Sequence, residues 1–175
     1  MSAINYDLNK IKSFVFDVDG VLSRQTVPHA EDGQPLRTTN VRDGYAIHHA
    51  LRMGLDVAII TGGRSEIVRK RLEALGVPSD NIYLKSYDKT EQLKHYMDNT
   101  GFKAEEIIYV GDDLIDMLVM KQVGLPIAPA DACPEIKAIA KHISPVIGGE
   151  GVARDIIEQV MKVQGKWIVD DAYYW

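Results

Sequence analysis

The stretch Phe14-Val15-Phe16-Asp17-Val18-Asp19-Gly20 decides the fold. Its apolar head, opened by Ser13 and closed by a glycine turn, reads as a buried strand over about 13–16. Asp17 and Asp19 then stand at the strand's C-terminal end. In open α/β sheets that edge is where ligands bind. Two carboxylates one residue apart repel each other there unless a cation or a proton intervenes.

Working outward, strands and helices alternate. A helix is expected from about 43 to 53, with Ala46, Ile47, Ala50 and Leu51 on one face and Gly54 as its stop. An apolar strand over 55–60 runs into Thr61-Gly62-Gly63, and a helix over 65–75 ends at Gly76. A short strand over 81–84 precedes a helix that Asp88 and Glu91 open in capping-box fashion. Strand 106–110 leads into Gly111-Asp112-Asp113 and a helix stopping at Gly124. A short final strand at 125–128, a helix led by Pro134 and a last helix over 151–163 complete the pattern. This alternation predicts an α/β fold, a Rossmann-like parallel sheet with helices on both faces, in one domain spanning 1–175.

Composition narrows the function. The 175 residues carry a net charge of −5 without any Lys/Arg-rich run, which argues against nucleic acid as partner. The one cysteine, Cys133, excludes an intrachain disulfide and a cysteine-built zinc site. No apolar run approaches the ~18 residues of a membrane span and no signal segment opens the chain, so a cytoplasmic protein is expected, with no membrane partner.

Four polar groups fall just after expected strands or at helix starts: Asp17/Asp19, Thr61, Lys89 and Asp112/Asp113/Asp116. On a parallel sheet they converge on one edge. Carboxylates without a nearby His or Cys form an oxygen-only set suited to magnesium, which uses a few carboxylates together with waters and a substrate phosphate. Asp17 then suits the role of nucleophile, forming an aspartyl-phosphate. Asp19 suits general acid and later base. Thr61 and Lys89 suit charge stabilisation on the phosphoryl oxygens. Each residue alone has a plainer reading: a turn for Asp-x-Asp-Gly, a cap for Thr61, a solvated surface lysine, and helix-dipole complementation for the later acids. Their order on one α/β pattern is what favours chemistry.

Asp-Val-Asp-Gly-Val (17–21), Ile-Ile-Thr-Gly (59–62), Asp-Lys (88–89) and Gly-Asp-Asp-Leu-Ile-Asp (111–116) together resemble the haloacid dehalogenase superfamily. The resemblance implies that Asp17, the Asp19 main-chain carbonyl and Asp112 hold magnesium, with Asp113 and Asp116 in support, and that Lys89 rather than Lys85 is the site lysine. No segment is long enough for a cap domain. Leu22–Val41 contains the hairpin dipeptide Asp32-Gly33 and is expected to project as a small β-hairpin or to lie as a surface loop. Trp167, Tyr173, Tyr174 and Trp175 crowd the tail at about 165–175, where they should dock on this subunit or a neighbour.

Asn40-Val41-Arg42-Asp43-Gly44 and Gly148-Gly149-Glu150-Gly151 with Arg154 look like the small capless group of that superfamily. That resemblance implies a homotetramer, with a neighbour's hairpin helping to cover the site. It further implies a small phosphorylated sugar acid as substrate, with eight carbons and a place in lipopolysaccharide precursor synthesis. A nine-carbon, sialic-acid type substrate and a catalytically silent binding member stay open. Arg64 is the first candidate to meet the substrate carboxylate, with Gly62, Arg42 and Arg154 as further substrate contacts. Thr61-Gly62-Gly63-Arg64 departs from the Thr-Gly-Arg of many relatives.

Overall fold

The computed structural model describes residues 3–174. Among the described residues six strands, β1 (Ser13–Phe16), β2 (Asp56–Ile60), β3 (Ile82–Tyr83), β4 (Ile107–Val110), β5 (Leu125–Ala128) and β6 (His142–Ile143), form one sheet in the order β3-β2-β1-β4-β5-β6. Every pairing is parallel. The helices are α1 (Val41–Arg52), α2 (Glu66–Ala74), α3 (Lys89–Thr100), α4 (Met117–Met120), α5 (Pro134–Ile139) and α6 (Val152–Val163). Among the described residues no cap domain is evident, and no helix is long and apolar enough to cross a membrane.

The continuous apolar runs are explained by burial of both sheet faces, because successive strand residues point to opposite sides. Phe14, Phe16, Val57, Ile59, Ile108, Val110, Leu125 and Ile127 pack with α1, α6 and the end of α2. Val15, Ala58, Ile60, Ile107 and Tyr109 pack with Leu93 and Tyr96 of α3, Val119 and Met120 of α4, and Ile136 of α5. The chain goes from β1 to β2 on one side and returns to β4 on the other. The crevice where the order reverses therefore opens at the C-terminal ends of β1 and β4, the place where such sheets bind ligands.

Asn40 caps α1, its side-chain oxygen accepting from the amides of Arg42 at 2.9 Å and Asp43 at 3.2 Å. Asp43 in turn reaches the first turn of α6, where its Oδ1 accepts from the Arg154 amide at 2.7 Å. The Asn40–Gly44 motif thus fastens two helices together. Beyond α6, buried Trp167 lies edge-on to Tyr45 and His49 of α1, with the Arg154 guanidinium 4.4 Å from its ring centroid. The Tyr45 hydroxyl donates to the Ala172 carbonyl, and Arg52 donates to the carbonyls of Asp171 and Tyr174. The tail therefore docks on α1 of its own chain through Trp167 and main-chain carbonyls, leaving Tyr173 and Tyr174 exposed. Trp175 lies outside the described residues.

Three expectations need correction. The helix expected over 113–124 is a 3-10 turn at Leu114–Asp116 followed by the four residues of α4. It breaks because the Asp116 side chain turns inward to accept from the Asp112 amide at 3.0 Å. The strand at 125–128 is not the last, since β6 adds an edge too short for any sequence pattern. The hairpin forms, but as one antiparallel bridge between His29 and Pro35 rather than a ribbon of regular strands.

Candidate active site

The face of β1 that carries Val15 also carries Ser13 and Asp17, and α3 runs antiparallel across it. The inner stripe of α3, Lys89, Leu93 and Tyr96, has the spacing of one helix face. At one end the Tyr96 hydroxyl lies 2.6 Å from the Ser13 hydroxyl. At the other, Lys89 Nζ lies 2.8 Å from Asp17 Oδ2 and 2.7 Å from Asp116 Oδ1. A lysine in the first turn of a helix opposes the helix dipole. Here two carboxylates hold it, while Asp88 caps the helix by accepting from the Thr90 amide at 2.9 Å. Lys85, the other lysine considered, is exposed.

Asp17, Asp112 and Asp116 bring carboxylate oxygens within 4.8 Å of one another, and all three are buried. Burial, then repulsion by Asp116, raises Asp17 to a pKa of about 7 despite the ammonium of Lys89. Burial, then repulsion by Asp17 and Asp116, likewise raises Asp112 to about 7. Burial works against the charge of Lys89, but Asp17 and Asp116 more than offset it and hold its pKa above the ordinary lysine value. One lysine against three ionised carboxylates leaves a buried surplus of negative charge, made entirely of oxygen donors. A divalent hard cation fits that set.

The three acids are not equivalent. Asp116 accepts from Lys89, from the Tyr109 hydroxyl at 2.9 Å, and from the amides of Asp112 at 3.0 Å and Asp113 at 3.5 Å. Its oxygens are committed to protein donors, so it fixes the lysine and the β4 loop. Asp112 meets one side-chain donor, Gln25 Nε2, at 3.3 Å. Asp17 Oδ1 accepts from the Val18 amide at 2.7 Å. Asp113 is exposed at the mouth and caps the 3-10 turn. Thr61 is buried, with Oγ1 accepting from the Gly63 amide at 3.1 Å, which leaves the hydroxyl proton available to a ligand.

The loop after β1 is held by close backbone approach. Gly20 has φ +81°, and a Cβ there would meet Asp112 Oδ2 at 2.0 Å. A Cβ on Gly148 would sit 2.0 Å from the Gly20 carbonyl oxygen. The Gly148 amide also donates to Asp131 Oδ1 at 2.8 Å. The Gly148–Gly151 motif therefore buttresses the carboxylate loop.

Asp17, Thr61, Asp112 and Asp113 line a cavity of about 630 Å³ together with Asp19, Gly20, Gln25, Arg37, Gly62, Gly63, Ile115, Asp131 and Cys133. Of the expected substrate contacts, Gly62 is in the lining. Arg64 and Arg42 are exposed and lie outside it. Arg154 is committed to Trp167 and to Glu158, 2.6 Å away, on the far side of α1. The guanidinium in the cavity belongs to Arg37, which the sequence reading passed over, as it did Gln25, Tyr109 and Asp131. For Tyr109 a signal existed, since it shares the face of β4 that meets α3. Arg37 and Gln25 sit in an irregular segment with no period to read. Cys133, assigned no role from the sequence, lines the cavity.

A family model described as haloacid dehalogenase-like hydrolase matches residues 78–156. The 3-deoxy-D-manno-octulosonate 8-phosphate phosphatase of Escherichia coli K12 is 37% identical over 156 residues, covering 89% of this chain and 82% of the relative. The Moraxella catarrhalis phosphatase of that name, solved with magnesium, phosphate and KDO, superposes with a TM-score of 0.84 at 30% identity, covering 90% of each chain. The cobalt-bound deoxy-D-mannose-octulosonate 8-phosphate phosphatase of Haemophilus influenzae superposes with a TM-score of 0.88 at 29% identity, covering 95% of each.

Proposed function

The chain belongs to the haloacid dehalogenase-like hydrolases, closely related to the octulosonate 8-phosphate phosphatases, and we propose that it is a magnesium-dependent phosphatase of a small phosphorylated sugar acid. The observation that carries this reading is the buried Asp17/Asp112/Asp116 cluster, bridged by Lys89, at the switch point of the sheet. The eight-carbon 3-deoxy-D-manno-octulosonate 8-phosphate, a lipopolysaccharide precursor, is the substrate best supported by the relatives. A homotetramer in the cytoplasm is the proposed form, with a neighbour's hairpin closing the cavity mouth.

Asp17 and Asp112, with the Asp19 main-chain carbonyl, would hold magnesium. Bound there, it supplies charge neutralisation and orientation of the phosphoryl group. Asp17 attacks phosphorus as the phosphorus–oxygen bond to the sugar breaks, and the Asp19 carboxyl gives its proton to the departing sugar oxygen. An aspartyl-phosphate results. Water then attacks the same phosphorus, Asp19 takes its proton, and the bond to Asp17 breaks to release phosphate. Lys89 and the Thr61 hydroxyl meet the negative charge on the transferring oxygens.

Phosphate release with magnesium from the eight-carbon and nine-carbon acid phosphates, beside simple hexose phosphates, tests the reading. Preference for the eight-carbon acid is expected. Preference for the nine-carbon acid would move the substrate and keep the mechanism. Release from none of them would refute the enzymatic reading and favour a silent binding member, whereas activity retained in Asp17→Asn would refute Asp17 as the nucleophile.

A further inference from the structure

Asp19 is held by Arg37 in a fork-to-fork ion pair. Arg37 Nε donates to Asp19 Oδ1 and Nη2 to Oδ2, both at 2.8 Å. The two partners differ in exposure: the Arg37 side chain is 9% exposed and that of Asp19 is 49%. The guanidinium is thus a buried seat for a planar carboxylate, and its present occupant is a half-exposed one on the cavity side. Its stem also lines a second, apolar cavity of about 190 Å³ behind the hairpin, between α1 and α2.

The seat depends on Gly63. A Cβ at that position would lie 2.8 Å from Arg37 Nη2 and 3.3 Å from its guanidinium carbon. The second glycine of Thr61-Gly62-Gly63, the departure noted in the sequence, leaves room for this arginine beside Thr61.

The guanidinium fork takes one lone pair on each Asp19 oxygen and fixes the carboxyl's orientation, so Asp19 cannot swing to a leaving group while the pair is closed. The pair must open for turnover. We propose that Arg37 is an exchangeable carboxylate latch and a specificity-determining residue: the substrate's own carboxylate takes the guanidinium and frees Asp19 for proton transfer. The idea rests on the phosphatase reading above. The bidentate geometry is the one that carboxylates use with arginine, and exchanging one carboxylate for another conserves the hydrogen bonds. A phosphate ester that lacks a carboxylate cannot open the latch, so discrimination appears in turnover as well as in binding.

The experiment compares wild type, Arg37→Gln and Gly63→Ala on the sugar-acid phosphate and on a hexose 6-phosphate, which has no carboxylate but whose leaving alkoxide still needs a proton. Arg37→Gln should lose about 10–100-fold in kcat/KM on the sugar-acid phosphate, the size expected for a lost charge-assisted contact. It should gain several-fold in kcat on the hexose phosphate, because Asp19 is no longer held. Gly63→Ala, which keeps the guanidinium and displaces it, should move both substrates in the same directions and decides the matter where Arg37→Gln does not fold. Equal losses on the two substrates, or no change on either, would overturn the latch. Wild type that releases no phosphate from any sugar-acid phosphate would instead sink the functional reading on which the latch depends.

Discussion

Replacing Asp17 by asparagine should make the metal-free protein more stable while it abolishes turnover. In the folded chain Asp17 titrates near 7 rather than 3.8, because burial and Asp116 oppose its charge. An acid whose folded pKa is raised destabilises the fold once it ionises. At pH values below 3.8 the group is protonated in both states and costs nothing. Between about 4 and 7 the penalty grows, and above 7 it is complete. At about 1.4 kcal/mol per pH unit the difference amounts to about 4 kcal/mol, and about 2 kcal/mol once the repulsion shared with Asp116 is allowed for. Asparagine keeps the shape and removes the charge, and Lys89 retains Asp116, 2.7 Å away. For a chain of this length a gain of about 2 kcal/mol corresponds to a rise of roughly 4–8 °C in Tm. Thermal unfolding of both proteins in chelator, at pH 8 and at pH 4, measures it. The two melting curves should separate at pH 8 and converge at pH 4. A variant that is no more stable at pH 8, or is stabilised equally at both pH values, would refute the claim that the carboxylates repel one another across the site.

Lys89→Met should act in the opposite sense, since it leaves Asp17 and Asp116 buried without their cation; a loss of about 3–5 kcal/mol by denaturant titration at pH 8 is expected, together with loss of turnover. Magnesium should raise Tm more at pH 8 than at pH 5, because below about 7 it competes with protons on Asp17 and Asp112; at a hundredfold excess over Kd the gain is about 3 kcal/mol, and a pH-independent shift would place the ion elsewhere. Gly148→Ala must move the Gly20 backbone, which a new Cβ would meet at 2.0 Å. A loss of about 1–3 kcal/mol by denaturant titration and a fall in kcat should appear together, and normal kcat in a folded variant would show that the loop does not need this buttress.

The sheet and most of the cavity were legible in the sequence because they follow from period and position. Runs such as 57–60 and Ile107–Val110 are continuous and almost wholly apolar, as strands buried on both faces must be. Polar residues just beyond them then fall on one edge. What escaped was decided by tertiary contact. The helix after Gly111 had acceptable helix formers, but Asp116 gains more from Lys89, Tyr109 and the Asp112 amide than a regular helix offers. Arg64 and Arg154 are cations near motifs, whereas Arg37 reaches the cavity from a segment with one bridge and no period. Asn40 and Asp43 read as part of a motif, and only the structure assigns them their work as caps of α1 and α6.

The strand order has a consequence for synthesis of the chain. β1 sits at the centre of the sheet, with β2 on one side and β4 on the other. β4 leaves the ribosome some ninety residues after β1, several seconds later at ordinary elongation rates. Until then Phe14-Val15-Phe16 presents an unpaired, apolar edge, the kind that recruits other chains. The nascent half-sheet is therefore the form most exposed to aggregation and to chaperone capture. The same delay means that Asp112 and Asp116 reach Asp17 only when the last strands close. The electrostatic burden of the site thus falls on a sheet already half assembled.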